Sequence, residues 1–314
     1  MEGVSFFFDW EIALMDWLQE MLGPFGERLA AFLTLFGEEL VTVLVIGFVY
    51  LCYDKRAGKR IALVVIVSNV WNPMVKNIAL RRRPYFDHPE IRCLKPVDSN
   101  ADVMDVVAQG YSFPSGHSQN AMTVFGMLAV TMKKKGLIAL AAVMPLLVGL
   151  SRVCLGVHFP TDVLAGWTLG LLTVSILGWL QKKVKRQWML SLILLATGIP
   201  GFFYCKTNDY YIFYGLMLGY LAGTMAEERF VRFRNTRKPL RAAARVLGAG
   251  LLFLGMSLLI HVFFPEAYLD SATTGAFLVR MLWMAVTMFI IVFVYPMVFR
   301  KFDRLFHDEE LTEE

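Results

Sequence analysis

Three polar islands interrupt an otherwise apolar chain of 314 residues. The first runs Lys76-Asn-Ile-Ala-Leu-Arg-Arg-Arg83-Pro84. Lys76 falls inside a stretch apolar enough to span a membrane, where an ionisable group is expensive and usually functional. Arg83 follows seven residues later, the same face of a continuous helix, and Asn69 and Asn72 precede Lys76 on that stripe. Pro84 is expected to end the helix. The plainer reading of Arg81, Arg82 and Arg83 is interfacial anchoring, with their stems in the apolar layer. The second island is Phe113-Pro114-Ser115-Gly116-His117. Pro suits the first turn of a helix, and a helix N-terminus offers free N–H groups and a positive dipole end to an anion. Gly116 admits close approach of a ligand to the backbone, and His117 can donate or accept a proton. An ordinary helix cap beside an interfacial histidine is the plainer alternative. The third island is Ser151-Arg152-Val-Cys-Leu-Gly-Val-His158-Phe-Pro-Thr-Asp162. A carboxylate near an imidazole holds one ring nitrogen as N–H and leaves the other free as a nucleophile. A capping Asp and a solvated turn histidine would leave the same trace.

Taken together, the islands supply what phosphoryl transfer needs. Two arginines and a lysine bind a tetrahedral oxyanion by fork geometry and point charge. Two histidines supply nucleophile and acid, and a helix N-terminus adds donors. Phosphoryl transfer is mostly positioning plus neutralisation of oxygen charge.

The elements that must position these groups are membrane helices. Hydrophobic residues make up 57% of the chain and charged residues 18%, against about 45–50% and 25% in soluble domains. That excludes disorder, collagen and a disulfide-rich secreted scaffold. Cys52, Cys93, Cys154 and Cys205 are scattered without metal spacing, which speaks against a zinc site and a disulfide framework. The net charge of +5 sits in short clusters between apolar runs, so no nucleic-acid partner is expected. The fold class expected is all-α, with about nine transmembrane helices near 37–53, 59–80, 117–132, 136–155, 161–181, 187–204, 210–226, 245–264 and 276–299. Residues 9–22 read as an amphipathic helix in the interface, with Trp10, Leu14, Trp17, Leu18 and Met21 on one face and Asp9, Asp16 and Glu20 on another. The competing reading is a first span continuing towards Leu35. No removable signal peptide is evident. Twenty-one of the 31 basic residues fall on one side of this arrangement, which puts the N-terminus outside, the C-terminus in the cytoplasm and all three islands on the extracytoplasmic side. Gly215, Gly219 and Gly223, like Gly166 and Gly170, have the spacing of close helix packing.

The order Lys76-x6-Arg83-Pro84, Pro114-Ser115-Gly116-His117, then Ser151-Arg152-x5-His158-x3-Asp162 resembles the complete three-part signature of the type 2 phosphatidic acid phosphatase (PAP2) superfamily. The resemblance covers roughly residues 37–181. It implies a helical membrane core in which His158 attacks phosphorus to form a phosphohistidine and Asp162 orients it. It implies that His117 protonates the leaving oxygen and then activates water. Lys76, Arg83 and Arg152 would hold the phosphate, assisted by Ser115 and the Gly116 N–H, with no metal and no other cofactor. The nine spans and the run from Trp71 to Tyr85 are similar to the glucose-6-phosphatase branch, whereas the Asp162 position and the short loops look more like bacterial lipid phosphatases. The expected organisation is an N-terminal interfacial segment at 1–36, a catalytic core at 37–181, additional membrane helices at 182–299 and a cytoplasmic tail at 300–314.

The expected function is an integral membrane phosphatase for a lipid phosphate or pyrophosphate: polyprenyl pyrophosphate, a phosphatidate-type lipid or a sphingoid phosphate. A bacterial plasma membrane fits the short loops and tails. Three alternatives stay open: a phosphotransferase to a lipid or sugar, a phosphatase for a soluble sugar phosphate, and a lipid transporter that uses the core as a binding site. A transporter should carry paired broken or polar helices at midplane, which the last four spans lack. Oligomeric state is not legible.

Overall fold

The structure, a computed structural model, describes residues 3–299; the tail expected at 300–314 lies outside the described residues. These are all-helical apart from one isolated bridge between Val4 and Arg81. In chain order the helices are α1 (Asp9–Leu33), α2 (Glu39–Phe48), α3 (Lys55–Ala79), α4 (Pro84–Asp87), α5 (Val106–Gln109), α6 (Gly116–Met132), α7 (Lys135–Cys154), α8 (Pro160–Lys183), α9 (Gln187–Gly198), α10 (Asn208–Ala226), α11 (Pro239–Phe263), α12 (Glu266–Leu269) and α13 (Thr274–Phe289). Each of the nine expected stretches is helical. Five helices among the described residues are long and apolar enough to cross a membrane alone, six if the α1–α2 pair, bent by 48°, is one span. The expected count of nine is not reached, in part because α6 has 17 residues and α9 only 12, short of the roughly 20 that a span requires.

The chain divides into two compact units. One comprises the chain up to Val43 with Trp71–Trp179; the other comprises Leu44–Val70 and the chain from Leu180 on. All three polar islands fall in the first. In it, the loop around His158 is rooted in apolar packing: Phe159 is buried with Met15, Ile91, Val153 and Val163, and Val157 with Ala30, Tyr85, Phe86 and Leu155. Each such side chain contributes about 1.5–3 kcal/mol on burial, so this loop is held by packing on both sides of the histidine. Gly156 has φ +73°, and a Cβ there would collide with the Arg92 carbonyl; only glycine meets both conditions. In the second unit, Gly215 and Gly219 of α10 lie directly against the Met281 and Ala285 carbonyls of α13, the close packing that their spacing implies.

Two local expectations need correction. The helix expected over 9–22 is present, and it continues past a kink at Gly23 (φ +57°) and Pro24 to Leu33. Its protein-facing stripe is Glu11, Met15 and Gln19, while Trp10, Leu14, Trp17 and Met21 are exposed. Gln19 belongs on this stripe because it meets backbone: its side chain donates to the Arg92 and Cys154 carbonyls and accepts from Arg92 N–H. Secondly, α3 ends at Ala79, not at Pro84. Leu80 takes a left-handed φ of +51°, and Arg82 N–H donates to the Val4 carbonyl across the bridge. Lys76 and Arg83 therefore share no helical face; a turn, not the helix, sets where Arg83 goes.

Candidate active site

Asp162 lies in the first turn of α8, fully buried. Its Oδ2 accepts Phe159 N–H at 2.8 Å and the Ser112 hydroxyl, and its Oδ1 accepts Arg81 Nη1 at 2.6 Å. His158 Nδ1 stands 3.4 Å from Oδ2, a loose approach that is not a full hydrogen bond. On the other edge of the ring, His158 Nε2 lies 3.4 Å from Arg83 Nη1. A carboxylate facing Nδ1 and a guanidinium N–H facing Nε2 both favour the tautomer with its proton on Nδ1. Burial, then the positive charges of Arg83, Arg152 and Lys76, push the His158 imidazole well below its usual range, with the Ser112 backbone opposing. The ring is thus neutral at neutral pH, with an Nε2 lone pair available.

The other expected residues converge on the same place. Arg83 is buried; its Nε donates to the Gln109 and Gly110 carbonyls and its Nη1 to Val157, at 2.8–3.1 Å. Three backbone acceptors fix its plane before any substrate arrives. Arg152, at the end of α7 and also buried, donates from Nη1 to Thr34 Oγ1 at 2.9 Å, while its Nε has no hydrogen-bond partner. A buried donor in that state costs free energy until an acceptor reaches it. Ser115 caps α6 and accepts from Ser118 N–H. Pro114 precedes that cap and so is not in the first helical turn. Ser115 N–H donates to the Asp162 carbonyl at 3.0 Å, which ties the α6 N-terminus to the start of α8. Gly116 opens the helix beside Asn72, whose amide donates to Gln119. The cations that act on His117 are Arg152, Lys76 and Arg83. Arg83 thus stands beside His158, Ser115 N–H ties the α6 N-terminus to Asp162, and the Arg152 and Lys76 charges act on His158.

Several partners were not legible. Arg81 is not an interfacial anchor: it is 1% exposed and holds Asp162. Ser112, Gln109 and Thr34 each fix a motif residue, and nothing in their spacing marks them. Among the described residues there is no group of three or more His, Cys, Asp or Glu side chains arranged to hold a metal ion.

The PAP2 superfamily model matches residues 57–186, and a PAP2 superfamily phosphatase transmembrane extension matches residues 211–306. Phosphatidylglycerophosphatase B of Bacillus subtilis (strain 168) is 45% identical over 157 residues, which are 47% of this chain and 70% of that protein. The chain belongs to the PAP2 superfamily. As a PAP2 protein with named phosphatase relatives it is a phosphoric ester hydrolase and an integral membrane protein. Undecaprenyl-diphosphatase of Sulfolobus acidocaldarius is 30% identical over 144 residues, 45% of this chain and 64% of that protein. A crystal structure of a transmembrane PAP2-type phosphatidylglycerolphosphate phosphatase from Bacillus subtilis aligns with 56% of this chain and 86% of its own, at 30% identity and a TM-score of 0.43.

Proposed function

We propose that this PAP2 protein hydrolyses a lipid phosphate or pyrophosphate through a phosphohistidine on His158. The observation that carries the proposal is the buried His158 ring, with Asp162 facing Nδ1 and Arg83 facing Nε2, each at 3.4 Å. In the first step His158 Nε2 attacks phosphorus, the N–P bond forms and the bond to the leaving oxygen breaks. His117 gives its proton to that oxygen. In the second step His117 takes a proton from water, the water oxygen attacks phosphorus, the N–P bond breaks and inorganic phosphate leaves. Lys76, Arg83 and Arg152 neutralise the equatorial oxygens, with the Ser115 cap and the Gly116 N–H as further donors. Three fixed cations do the charge neutralisation that a metal ion does elsewhere, so activity is proposed to be independent of metal.

The substrate class rests on two supports. A site among membrane helices suits a phosphate whose tail stays in lipid. The matched relatives are named as phosphatases of phosphatidylglycerophosphate and undecaprenyl diphosphate. The distribution of basic residues supports nine spans, an outside N-terminus and an extracytoplasmic site. Transfer to a lipid or sugar acceptor differs only in what replaces water in the second step. Phosphate release by the purified full chain, compared across polyprenyl pyrophosphate, phosphatidate, phosphatidylglycerophosphate, sphingoid phosphate and sugar phosphate, tests this reading. Turnover of at least one lipid substrate far above the sugar phosphate is expected. Release from the sugar phosphate alone would overturn the lipid assignment.

A further inference from the structure

A carboxylate from outside the matched PAP2 region reaches the back of the site. Glu11, on α1, is fully buried. Its Oε2 accepts Arg81 Nη2 at 2.8 Å and Phe8 N–H at 3.0 Å, and its Oε1 accepts Thr161 Oγ1 at 2.6 Å and Thr161 N–H at 3.0 Å. Arg81 then donates from Nη1 to Asp162 Oδ1 at 2.6 Å and to Thr161 Oγ1 at 2.7 Å, and from Nε to the Phe6 carbonyl at 2.8 Å. Its guanidinium lies over the rings of Phe159 and Phe6, at 3.9 and 4.6 Å. The chain of contacts is Glu11, Arg81, Asp162, His158, and all four side chains are buried.

Charge counting gives Glu11 a reason to be there. Asp162 alone presents one negative charge to His158. Arg81 orients Asp162 but cancels that charge. Glu11 in turn cancels Arg81 and restores one net negative charge behind the imidazole. That charge matters when Nε2 bonds to phosphorus, because a ring that keeps its Nδ1 proton becomes cationic. Three cations already lie nearby, so an uncompensated Arg81 would oppose the step.

We infer that Glu11 and Arg81 are positioning residues for phosphoryl transfer, acting through Asp162 on His158. The inference rests on the phosphohistidine reading above. It makes the N-terminal helix part of the catalytic apparatus through one buried carboxylate.

The test is Glu11→Gln, which keeps shape and removes charge, in the wild-type and the Asp162→Asn backgrounds, with lipid pyrophosphate as substrate. In the wild-type background kcat should fall roughly 10- to 100-fold, the range in which outer partners of metal-bound histidines act, and KM should stay within about 3-fold. The charges around His158 are Lys76 from α3, Arg83 and, behind Asp162, Arg81 from the turn, His117 from α6, Arg152 from α7 and Asp162 from α8. Loss of the Glu11 charge shifts their balance to positive, so the acid limb of kcat/KM should move to lower pH. In Asp162→Asn the same substitution should cost less than about 3-fold, since the path through Asp162 is already cut. Wild-type kcat in Glu11→Gln, or an undiminished cost in the Asp162→Asn background, would overturn the inference. If Glu11→Gln does not fold in detergent, Glu11→Asp carries the same test: it keeps the charge and shortens the reach, and kcat should fall only where Asp162 is intact. His158→Ala measured alongside separates the two claims, because turnover by that variant would overturn the phosphohistidine reading whatever Glu11 does.

Discussion

In the proposed mechanism His158 is a nucleophile by environment more than by residue type. An exposed imidazole has a pKa near 6.5 and is part-protonated in mildly acidic water. Here burial and the Arg83, Arg152 and Lys76 charges hold it well below that. The unprotonated form is the reactive one, so activity is retained as pH falls through 6.5 and is lost only further down. Once the titration of the substrate's own phosphate is divided out (second pKa about 6), kcat/KM for a lipid pyrophosphate, whose leaving group needs little protonation from His117, should stay flat from pH 7 to below 6. A fall centred at 6.5 would mean that the ring is not so held. Stability has the same sign. The unfolded chain takes up a proton near pH 6.5 that the folded chain refuses, so this histidine's contribution is present above that pH and drains away below it. The motif residues stood out in the sequence because few other roles suit a Lys, two Arg and two His at those spacings. Their partners did not. Arg81 looks like its neighbours in a run of three, and only the left-handed turn at Leu80 sends it inward. Glu11 falls among several acids on α1, and periodicity assigns it to no special face.

At the scale of elements, α8 and α6 are held together by small residues. A Cβ on Gly166 would press into the Ser115 carbonyl, and one on Gly170 would meet Met122 and the Gln119 carbonyl. This close approach is what lets Ser115 N–H reach the Asp162 carbonyl, so the α6 N-terminus and the carboxylate residue facing His158 share one contact. Gly166→Val should cost about 1–3 kcal/mol in stability, as overpacking does, and should lower kcat at least 10-fold by parting the two helix starts. Gly178→Ala, on the same helix with open space around it, should leave both unchanged. Thermal unfolding and kcat of the two variants check this, and equal behaviour would contradict it. The small-residue spacing was readable from sequence, as was the order of helices. The α3 terminus was not, because Pro84 is a local stop signal while the pairing of Val4 with the 80–82 segment is a tertiary contact.

At the scale of the whole molecule, the proposed orientation rests on the distribution of Lys and Arg. In a background without native cysteines, Asn100→Cys should label from outside intact cells and Arg237→Cys only after permeabilisation; both positions are exposed. The reverse pattern would put the site on the cytoplasmic side. All else depends on whether phosphate passes through His158. The full-length protein, incubated with radiolabelled lipid pyrophosphate and quenched in base, reads this directly, since phosphohistidine is base-stable and acid-labile. The wild type should label transiently. His117→Ala should accumulate label, because a pyrophosphate leaving group needs little protonation while water attack needs the base. His158→Ala should take up none, and label in His158→Ala at the wild-type level would contradict the account.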